Sequence, residues 1–596
     1  MKGEGRVVRV LPDVVGVDKQ FDYLLPSGRA SGAGVGTTVR VMLHGRRVSG
    51  WITALDVEPP PGVELLAVSH VRGWGPPADL VELAGWAAWR WAGHPAHFLR
   101  AASPAAATAA LPPPARALGA RPPDEALASG ALGGGVRALR LPPAADPTPV
   151  VLTAAARGPV LVLVPASSRA AGLAGRLRRA GWRVALLPEE WAQARAGVDV
   201  VVGARGAAWA PCPDLAAVVV VDAHDEAYIE ESAPTWDAVE VATERARRAG
   251  VPCVLVSATP RLGRGPDPCE VRPARAAQWR GWARLQVIDR RGDDPRLGLW
   301  SPSLVRAITD GGRVACVLNR RGRARLLACA ACGELARCER CGAAVRETSP
   351  SAAGHRVDGL ACPQCAVVRP PVCAACGSTR LKRLRVGVTR AAEELAALVG
   401  RPVTEVSGPA PAAAVANRAD GDRAVGDRTV SDLVVGTEAV LHRGGTFDVV
   451  AFVDFDQELL APRYRAGEDA LGMLGRAARL VGGRRRHGRV LVQTRLPDHA
   501  VLAAALHGDY DRWAEEERET RRDLRLPPFC ALAAISGPGA PAYAGGLGAL
   551  GGLEVLGPAD GRWLVKADDP AALADRLARA PRPPGRTRVE VGAWRV

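Results

Sequence analysis

Eight of the 13 cysteines fall into four Cys-x-x-Cys pairs. Two thiolates separated by two residues can bind the same tetrahedral ion, and a glycine after the second cysteine, present in three of the pairs, permits a turn with positive φ. The eight residues are Cys329, Cys332, Cys338, Cys341, Cys362, Cys365, Cys373 and Cys376. Core packing does not produce repeated doublets, so the pairs predict two four-cysteine zinc sites, with two Zn²⁺ per chain.

Spacing leaves two ways to divide the cysteines between the two ions. The long gap between the second and third pairs resembles a zinc ribbon, in which the inner four residues share one ion and the outer four share the other. The inner set is Cys338, Cys341, Cys362 and Cys365, and the outer set is Cys329, Cys332, Cys373 and Cys376. The alternative joins the first four and the last four. Neither division includes a histidine, a water-activating carboxylate or an open position, so both sites are predicted to be structural and not catalytic.

The chain lacks the lysine on which a phosphate-binding loop depends. A phosphate-binding loop ends in Gly-Lys-Ser/Thr, because backbone N–H groups surround the phosphates while the lysine reaches the β and γ oxygens. The chain has four lysines, Lys2, Lys19, Lys382 and Lys566, and none follows a glycine or precedes a serine or threonine. Conventional ATP-driven unwinding is therefore not expected.

Length and composition predict a soluble protein of several domains. At 596 residues the chain is too long for one core, and it contains no run of about 18 uncharged apolar residues that could span a bilayer. The first residues lack the apolar region of a secretory signal, so we expect a reducing cytosol, where cysteines bind metal. The net charge of +16 favours a polyanionic partner. The excess of arginine over lysine is typical of a GC-rich genome, so only this net charge counts.

The rest of the chain predicts the elements that position these residues. Short β-rich segments fill residues 1–100, and a stretch rich in proline, alanine and glycine at 101–149 is predicted to be a linker or a reduced domain. From residue 150, apolar runs alternate with helical stretches, which is typical of buried parallel strands joined by crossover helices. The runs lie at 159–165, 198–203, 215–222 and 251–257, and a second set lies at 313–322, 432–440, 447–456 and 488–494. The cysteine block interrupts the second set as an inserted module, and a small α+β tail follows.

The order of several short segments resembles that of the PriA family of primosomal replication-restart proteins over nearly the whole chain. The segments are FDYLLP (21–26), LVP (163–165), VGARGAAWAP (202–211), SATP (257–260), LNRRG (318–322), VGTEAVLHRG (435–444), VDFD (453–456), RVLVQT (489–494) and LPPF (526–529). The resemblance implies a multidomain α/β fold with two RecA-like doubly wound helicase lobes, an inserted two-zinc module, an N-terminal β-rich DNA-binding domain and a small α+β C-terminal domain.

The resemblance also assigns the domains. It implies a 3′-DNA-end-binding domain at 1–100, a linker or reduced winged-helix region at 101–149, lobe 1 at 150–280, lobe 2 at 281–328 and 381–510, the zinc module at 329–380, and a C-terminal domain for DNA and single-stranded-DNA-binding protein at 511–596.

Three departures from the family pattern decide the expected mechanism, and the first two concern the nucleotide site. The phosphate-binding loop should precede the strand at 159–165, but residues 150–158 read VVLTAAARG, without a lysine. The family's Asp-Glu-Glu-His box is replaced by VDAHD, so Asp222, His224 and Asp225 form a degenerate nucleotide site in which only Asp222 retains a magnesium-binding carboxylate.

The third departure is the final helicase motif, which reads RAARLVGG at 476–483. The arginine that would contact the γ-phosphate falls on Leu480, although Arg479 lies beside it as a displaced candidate. Glu226 is a second candidate for the missing water-orienting carboxylate. Because three parts of the phosphoryl-transfer machinery are missing together, the fold is expected to persist without its chemistry, and ATP binding is in doubt.

The resemblance implies a cytoplasmic, nucleoid-associated, monomeric protein that recognises stalled or abandoned replication forks. It would bind forked and single-stranded DNA, single-stranded-DNA-binding protein, primosome proteins and the replicative helicase. Phe21 and Tyr23 would stack on the terminal base, Asp22 would accept a hydrogen bond from the 3′ hydroxyl, and Gly45 would form the following turn. Leu65 stands where a basic residue is expected. From the residues alone, the alternative is that Phe21, Tyr23 and Leu24 are strand residues of the core.

Two other functions remain open at this stage. The chain could be an active DNA-dependent ATPase and 3′–5′ helicase with a diverged nucleotide site, or a zinc-stabilised interaction protein whose DNA binding is incidental. Hydrolysis lost on Asp222→Ala favours the first, and equal affinity for forked and linear DNA favours the second.

Overall fold

The computed structural model describes residues 5–592, apart from residues 15, 18, 31, 60–61, 117–125, 263–268, 295–297, 319–326, 341, 348–358, 363–366, 384–387, 407–431, 443–444 and 560. Six β-sheets lie in the described ranges. No helix in these ranges is long and apolar enough to cross a membrane.

The N-terminal domain is an antiparallel five-stranded sheet followed by helices. Its strands are β1 (Gly5–Pro12), β2 (Phe21–Pro26), β3 (Thr38–Leu43), β4 (Arg46–Leu55) and β5 (His70–Gly73), in the order β2-β1-β4-β3-β5, and its helices are α1 (Ser27–Ala30), α2 (Ala78–Arg90) and α3 (Pro95–Ala102). Alternate residues such as Val8, Val10, Val39 and Val41 fill the core of the sheet. A two-residue turn joins β3 to β4, and both of its residues, His44 and Gly45, have positive φ.

Lobe 1 is a parallel seven-stranded sheet with helices on both faces. Its strands are β6 (Val136–Arg140), β7 (Val160–Leu163), β8 (Val184–Leu186), β9 (Val200–Gly203), β10 (Ala217–Val221), β11 (Cys253–Ser257) and β12 (Cys269–Val271), in the order β12-β6-β11-β10-β7-β9-β8. Its helices are α4 (Ala126–Ala131), α5 (Thr148–Ala155), α6 (Ser167–Arg179), α7 (Trp191–Ala196) and α8 (Ala238–Ala249), with 3₁₀ turns at Arg205–Trp209 and Glu226–Tyr228. Fully buried valines along β7, β9 and β10 give the continuous apolar runs that the sequence shows.

The structure corrects the start of lobe 1. The stretch 101–149 was predicted to be a linker or a reduced domain, but β6 pairs in parallel with β11 and β12 and so belongs to the lobe 1 sheet. Leu139 is fully buried in this strand. Lobe 1 therefore begins before residue 150.

Lobe 2 is a parallel six-stranded sheet. Its strands are β13 (Arg284–Asp289), β14 (Val314–Val317), β20 (Thr404–Val406), β21 (Leu433–Gly436), β22 (Val449–Phe452) and β23 (Arg489–Thr494), in the order β13-β23-β22-β14-β21-β20. The helices of lobe 2 and of its connection to lobe 1 are α9 (Arg275–Gly281), α10 (Pro302–Thr309), α11 (Val388–Val399), α12 (Asp456–Leu459), α13 (Ala466–Val481), α14 (Ala500–His507) and α15 (Tyr510–Asp523), with 3₁₀ turns at Glu438–His442 and Arg484–Arg486. Tyr510 and Trp513 of α15 pack in the same apolar cluster as α13, which extends lobe 2 past residue 510.

The cysteine module leaves lobe 2 after β14 and returns before α11. It contains a two-stranded sheet of β15 (Leu327–Cys329) and β19 (Leu381–Arg383), and a three-stranded sheet of β16 (Arg346–Glu347), β17 (Leu360–Ala361) and β18 (Val368–Arg369). Ala328, Leu335 and Ala344 pack against Leu460 of lobe 2. The module is therefore docked on the lobe that it interrupts.

The C-terminal domain is an antiparallel four-stranded sheet with two helices. Its strands are β24 (Ala531–Ser536), β25 (Glu554–Ala559), β26 (Arg562–Ala567) and β27 (Arg588–Val591), in the order β25-β26-β24-β27, and its helices are α16 (Ala540–Ala549) and α17 (Pro570–Arg579). One continuous apolar cluster joins this sheet to α2, α3 and one face of the lobe 1 sheet. Lobe 1 thus connects the N-terminal and C-terminal domains.

Candidate functional sites

The connection between β6 and α5 stands where a helicase lobe carries its phosphate-binding loop, because that loop joins a strand to a helix. The sequence predicts the missing loop at 150–158, but those residues lie mostly inside α5, and the connection between β6 and α5 is 141–147. This loop contains three prolines, which have no N–H group to donate: Pro142, Pro143 and Pro147.

Of the four other amides of this loop, those of Leu141, Ala144 and Ala145 are already bonded within the chain. The N–H of Leu141 donates to Ser257 O at 3.1 Å, that of Ala144 to Gly281 O at 3.1 Å, and that of Ala145 to Pro142 O at 2.9 Å. A phosphate needs several free N–H groups that converge on it. This loop does not offer such a group of free N–H donors. It therefore differs from a phosphate-binding loop in its backbone as well as in its lack of a lysine.

Asp222 follows β10, where a magnesium-binding carboxylate is expected, but both of its oxygens accept hydrogen bonds from arginines. Arg479 of α13 donates from Nη1 to Oδ2 at 2.6 Å and from Nη2 to Oδ1, and Arg169 of α6 donates to Oδ2. Burial alone would raise the pKa of Asp222, but these two guanidinium groups outweigh burial and hold the pKa well below its usual range. Three of the four lone-pair sites of this carboxylate thus face guanidinium groups, and the positive charge of both arginines opposes the binding of a cation.

Arg479 also ties the two lobes to the loop. Its Nε donates to the carbonyl oxygen of Pro143 at 3.2 Å, so one side chain of lobe 2 joins Asp222 and the Leu141–Pro147 connection of lobe 1. Leu480, the position at which the family's arginine was expected, is buried in the lobe 2 core. The displaced arginine therefore occupies the cleft itself.

A second ion-pair cluster crosses the same cleft. Arg476, one helical turn before Arg479, donates to Asp225 Oδ2 of lobe 1 at 2.7 Å and to Glu438 of lobe 2. All three side chains are at most 6% exposed. Burial alone would raise the pKa of Asp225, but Arg476 outweighs it and holds the pKa well below its usual range. Glu226 lies 3.9 Å from Arg463, so it faces another lobe 2 arginine.

His224 is buried between these two clusters as a neutral imidazole. Ser257 Oγ lies 2.6 Å from Thr259 O, which can only accept, so Ser257 donates there and His224 Nδ1 donates to Ser257 Oγ at 2.8 Å. Burial lowers the pKa of His224 to about 4, against the pull of Asp222 and Asp225. The degenerate nucleotide site thus holds a set of mutually bonded protein groups.

The sequence analysis did not find Arg169 or Arg476. The spacing between Arg476 and Arg479 places both on one face of α13, which is the available sequence signal. Arg169 lies near the start of α6, six residues after β7, and its sequence context gives no indication of its partner.

The outer four cysteines come together as a candidate metal centre. The Sγ atoms of Cys329, Cys332, Cys373 and Cys376 all lie within 4.8 Å of one another. Cys329 and Cys376 are separated by 3.5 Å and Cys332 and Cys373 by 3.6 Å. A tetrahedral Zn²⁺ with Zn–S bonds of about 2.3 Å requires S–S separations of about 3.8 Å, so this donor set fits zinc. The grouping is that of the ribbon arrangement, not of the sequential one.

The inner set is described only in part, because Cys341 and Cys365 lie outside the described residues. Its other two members nevertheless adopt the same turn as the outer set. The N–H of each first cysteine donates to the carbonyl oxygen five residues later: Cys329 to Glu334, Cys338 to Ala343, Cys362 to Val367 and Cys373 to Ser378, at 2.8–2.9 Å. Cys338 and Cys362 are both buried in one small apolar cluster, as members of one site require.

The predicted DNA-end residues lie on β2, but on different faces. Phe21 is half-buried and packs at the edge of the domain core, whereas Asp22 points to the opposite face. Both oxygens of Asp22 accept from Arg9, at 2.8 and 3.1 Å. Gly45 lies in the β3–β4 turn with φ of +77°. Leu65 is half-buried in the segment that follows.

The structure corrects the role predicted for Tyr23. Its side chain is in the core, 3% exposed, and its hydroxyl donates to Met42 O at 2.9 Å. The ring therefore has no free face for a base. For Tyr23, the explanation as a core strand residue is the right one.

The comparisons with known proteins agree with this architecture. Residues 7–104 match the family model for the 3′ DNA-binding domain of PriA. A replication restart protein PriA of Mycobacterium tuberculosis is 29% identical over 596 residues, covering 88% of this chain and 85% of the relative. The chain is thus similar to PriA proteins over most of its length.

Other PriA proteins match over shorter stretches. The Haemophilus influenzae replication restart protein PriA is 28% identical over 367 residues, covering 58% of this chain, and the alignment spans 48% of that relative's length. The chain thus matches about half the length of this relative, and the same holds for the Bacillus subtilis relative, at 49%. A DEAD box protein from Methanococcus jannaschii superposes over 65% of the chain at 10% identity with a TM-score of 0.28, so the description of the lobes rests on their strand order.

Proposed function

We propose that this protein binds forked DNA as a replication restart factor and does not hydrolyse ATP. The match to the 3′ DNA-binding domain and the relatives named as replication restart proteins support the DNA-binding part. The net charge of +16 favours sequence-independent contacts with phosphates. In this proposal the helicase lobes are retained as a scaffold.

One observation carries the non-hydrolysing part: Asp222 is bonded on both oxygens by Arg479 and Arg169. Phosphoryl transfer needs a metal-bound carboxylate, a phosphate cradle and a cation at the γ-phosphate. Here the carboxylate and the candidate cation neutralise each other, and the same arginine is bonded to Pro143 in the loop that replaces the cradle. The former catalytic groups thus serve as contacts between the lobes.

At the DNA end, we propose that Phe21 stacks on the terminal base and that Asp22, held in place by Arg9, accepts a hydrogen bond from the 3′ hydroxyl. Each carboxylate oxygen has a second lone pair beyond the one that faces Arg9. Tyr23 supports this strand from the core. The proposed partners are single-stranded-DNA-binding protein, primosome proteins and the replicative helicase, with two structural Zn²⁺ per chain.

The test measures fork binding and ATP hydrolysis in the same zinc-loaded samples. Binding is compared among a fork with a 3′ hydroxyl, the same fork with a 3′ phosphate, and linear duplex at matched salt. The proposal expects a preference for the first substrate and no DNA-stimulated hydrolysis. Stimulated hydrolysis that disappears in Asp222→Ala would establish an active ATPase instead, and equal affinity for all three substrates would leave an interaction protein with incidental DNA binding.

A further inference from the structure

Trp279 of α9 is the one tryptophan in the described ranges whose side chain is largely exposed, at 43%. It lies on the segment that connects the two lobes, between β12 and β13. An apolar ring of this size is usually buried. The neighbouring Trp282 is buried and stacks on Tyr510, with 4.7 Å between the ring centroids. Packing of the core therefore does not account for the exposed position of Trp279.

Arg484 lies flat against the Trp279 ring. Its guanidinium carbon is 3.6 Å from the ring centroid, and its Nε has no hydrogen-bond partner among the described residues. The ring lies beside Gly508 at the end of α14, where a Cβ would be in ordinary van der Waals contact with it at 3.5 Å. The tryptophan and the arginine thus form a fixed stacked pair at the surface, and both groups present planar faces of the kind on which bases stack.

Further arginines surround this pair and have no acidic partner. Arg275 lies four residues before Trp279 on the same face of α9, and Arg280 adjoins Gly483, since a Cβ on that glycine would meet its carbonyl oxygen. The full set is Arg275, Arg280, Arg284, Arg484, Arg485 and Arg486. The ion pairs found across the described residues include none of these six. Burial, followed by repulsion from Arg284, lowers the pKa of Arg484.

The acidic groups beside the cluster do not neutralise it. Asp511 is bonded to Arg272 at 2.6 Å and paired with Arg140 at 3.2 Å. Asp509 is exposed at the start of α15. Its single negative charge is small beside the six positive charges of the cluster. Concentrated, unpaired positive charge around an exposed aromatic ring has a clear complement in a phosphate backbone with accessible bases.

We propose that Trp279 and these six arginines form a second DNA-binding surface, one that takes single-stranded nucleic acid. Duplex would contact the arginines but could not use the ring, because its bases are already stacked. Binding here needs no 3′ hydroxyl and no nucleotide, so this inference stands apart from end recognition by the N-terminal domain. Its position beside the connection between the lobes lets a displaced strand lie on lobe 2 while the N-terminal domain holds an end.

The test uses a fluorescent oligothymidylate with a 3′ phosphate, so that end recognition does not contribute. Trp279→Ala should weaken binding by about 5- to 150-fold, the range for loss of one stacked base, whereas Trp279→Phe should retain most of the affinity. Linear duplex binding should change by less than about twofold in both variants, since that ligand offers no free base. Equal affinities of the Ala variant and the unchanged protein for the oligothymidylate would overturn the proposal.

The charge contribution has its own matched control. The triple variant Arg484→Ala, Arg485→Ala and Arg486→Ala removes three charges here, and the triple variant Arg247→Ala, Arg248→Ala and Arg390→Ala removes three from helix ion pairs elsewhere. The first should reduce the slope of log affinity against log salt by about 2, from about 0.7 per phosphate contact, and the second should leave it nearly unchanged. Equal slopes in the two variants would contradict the site.

A crosslink from 5-iododeoxyuridine to Trp279, located by mass spectrometry, would place the strand directly, and crosslinks only to other residues would refute that placement.

Discussion

Replacing Arg476 with methionine should release the cleft between the lobes. The change leaves Asp225 of lobe 1 and Glu438 of lobe 2 buried without their shared cation, at 1% and 5% exposure of their side chains. Removing one partner of a buried pair costs about 3–5 kcal/mol, because the remaining charge keeps its desolvation penalty. The methionine preserves most of the apolar volume, so the loss reports on charge.

Hydrogen exchange followed by mass spectrometry measures this loss where it occurs. Amides of α13 that exchange through opening of the cleft should exchange about 150- to 5,000-fold faster in Arg476→Met, since about 1.4 kcal/mol corresponds to a factor of ten. Arg479→Met should have a smaller effect, because Asp222 retains Arg169 and both arginines are 27% exposed. Arg248→Met, which breaks an exposed helix pair with Glu244, should change stability by less than about 1 kcal/mol.

A pH series separates this explanation from simple loss of packing. Without Arg476, burial is expected to raise the pKa of Asp225, and both carboxyl groups should then take up protons as the pH falls. The difference in exchange between Arg476→Met and the unchanged protein should therefore shrink in mild acid. A less than tenfold rise in exchange at neutral pH, or a difference that does not depend on pH, would refute the view that ion pairs hold the cleft closed.

Three further predictions concern His224, the outer cysteines and the DNA end. The pKa of His224 is lowered from 6.5 to about 4, so between these values the folded state binds fewer protons than the unfolded state. The free energy of unfolding should therefore decrease by about 2 kcal/mol as the pH is lowered from 7 to 5. His224→Gln should remove this part of the pH-dependent shift in the urea midpoint, and an unchanged shift would contradict the neutral imidazole. Cys376→Ser should lower the zinc content measured by mass spectrometry from two ions per chain to one, whereas loss of both ions would show that the two sites do not form independently. Phe21→Ala should weaken binding to a 3′-hydroxyl end by about 5- to 150-fold. Tyr23→Phe should leave end binding intact and cost about 1 kcal/mol of stability, because the hydrogen bond to Met42 is lost. A larger loss of end binding in Tyr23→Phe than in Phe21→Ala would restore a stacking role to Tyr23.

Local pattern was enough to predict most strands and the grouping of the outer four cysteines. Runs such as those around Val160 and Val218 are buried on both faces, so they read as continuous apolar segments. The cysteine doublets encode their own turns, and the chain order of the doublets suggested the ribbon pairing. The short strand Val136–Arg140 was missed because five residues with two arginines, bounded by glycines and prolines, carry little strand signal.

The contacts in the cleft depend on tertiary structure and could not be predicted in detail. Arginine is so frequent in this chain that no single one stands out, and the partners of Arg169 and Arg476 lie 53 and 251 residues away. The error on Tyr23 has a simpler cause. Alternation along β2 places it on the core face with Leu25, and only the burial of that face by the other strands decides what the ring contacts.

The most direct test of the central claim is equilibrium binding of ATP with Mg²⁺ to the zinc-loaded protein, by calorimetry, with and without forked DNA. Because Arg169 and Arg479 neutralise Asp222 and Arg479 also binds Pro143 of the loop, we expect no heat of binding at millimolar ATP in either sample. Saturable binding in the micromolar range, weakened by Asp222→Ala, would show that the cleft opens to a nucleotide and that these groups do not block it.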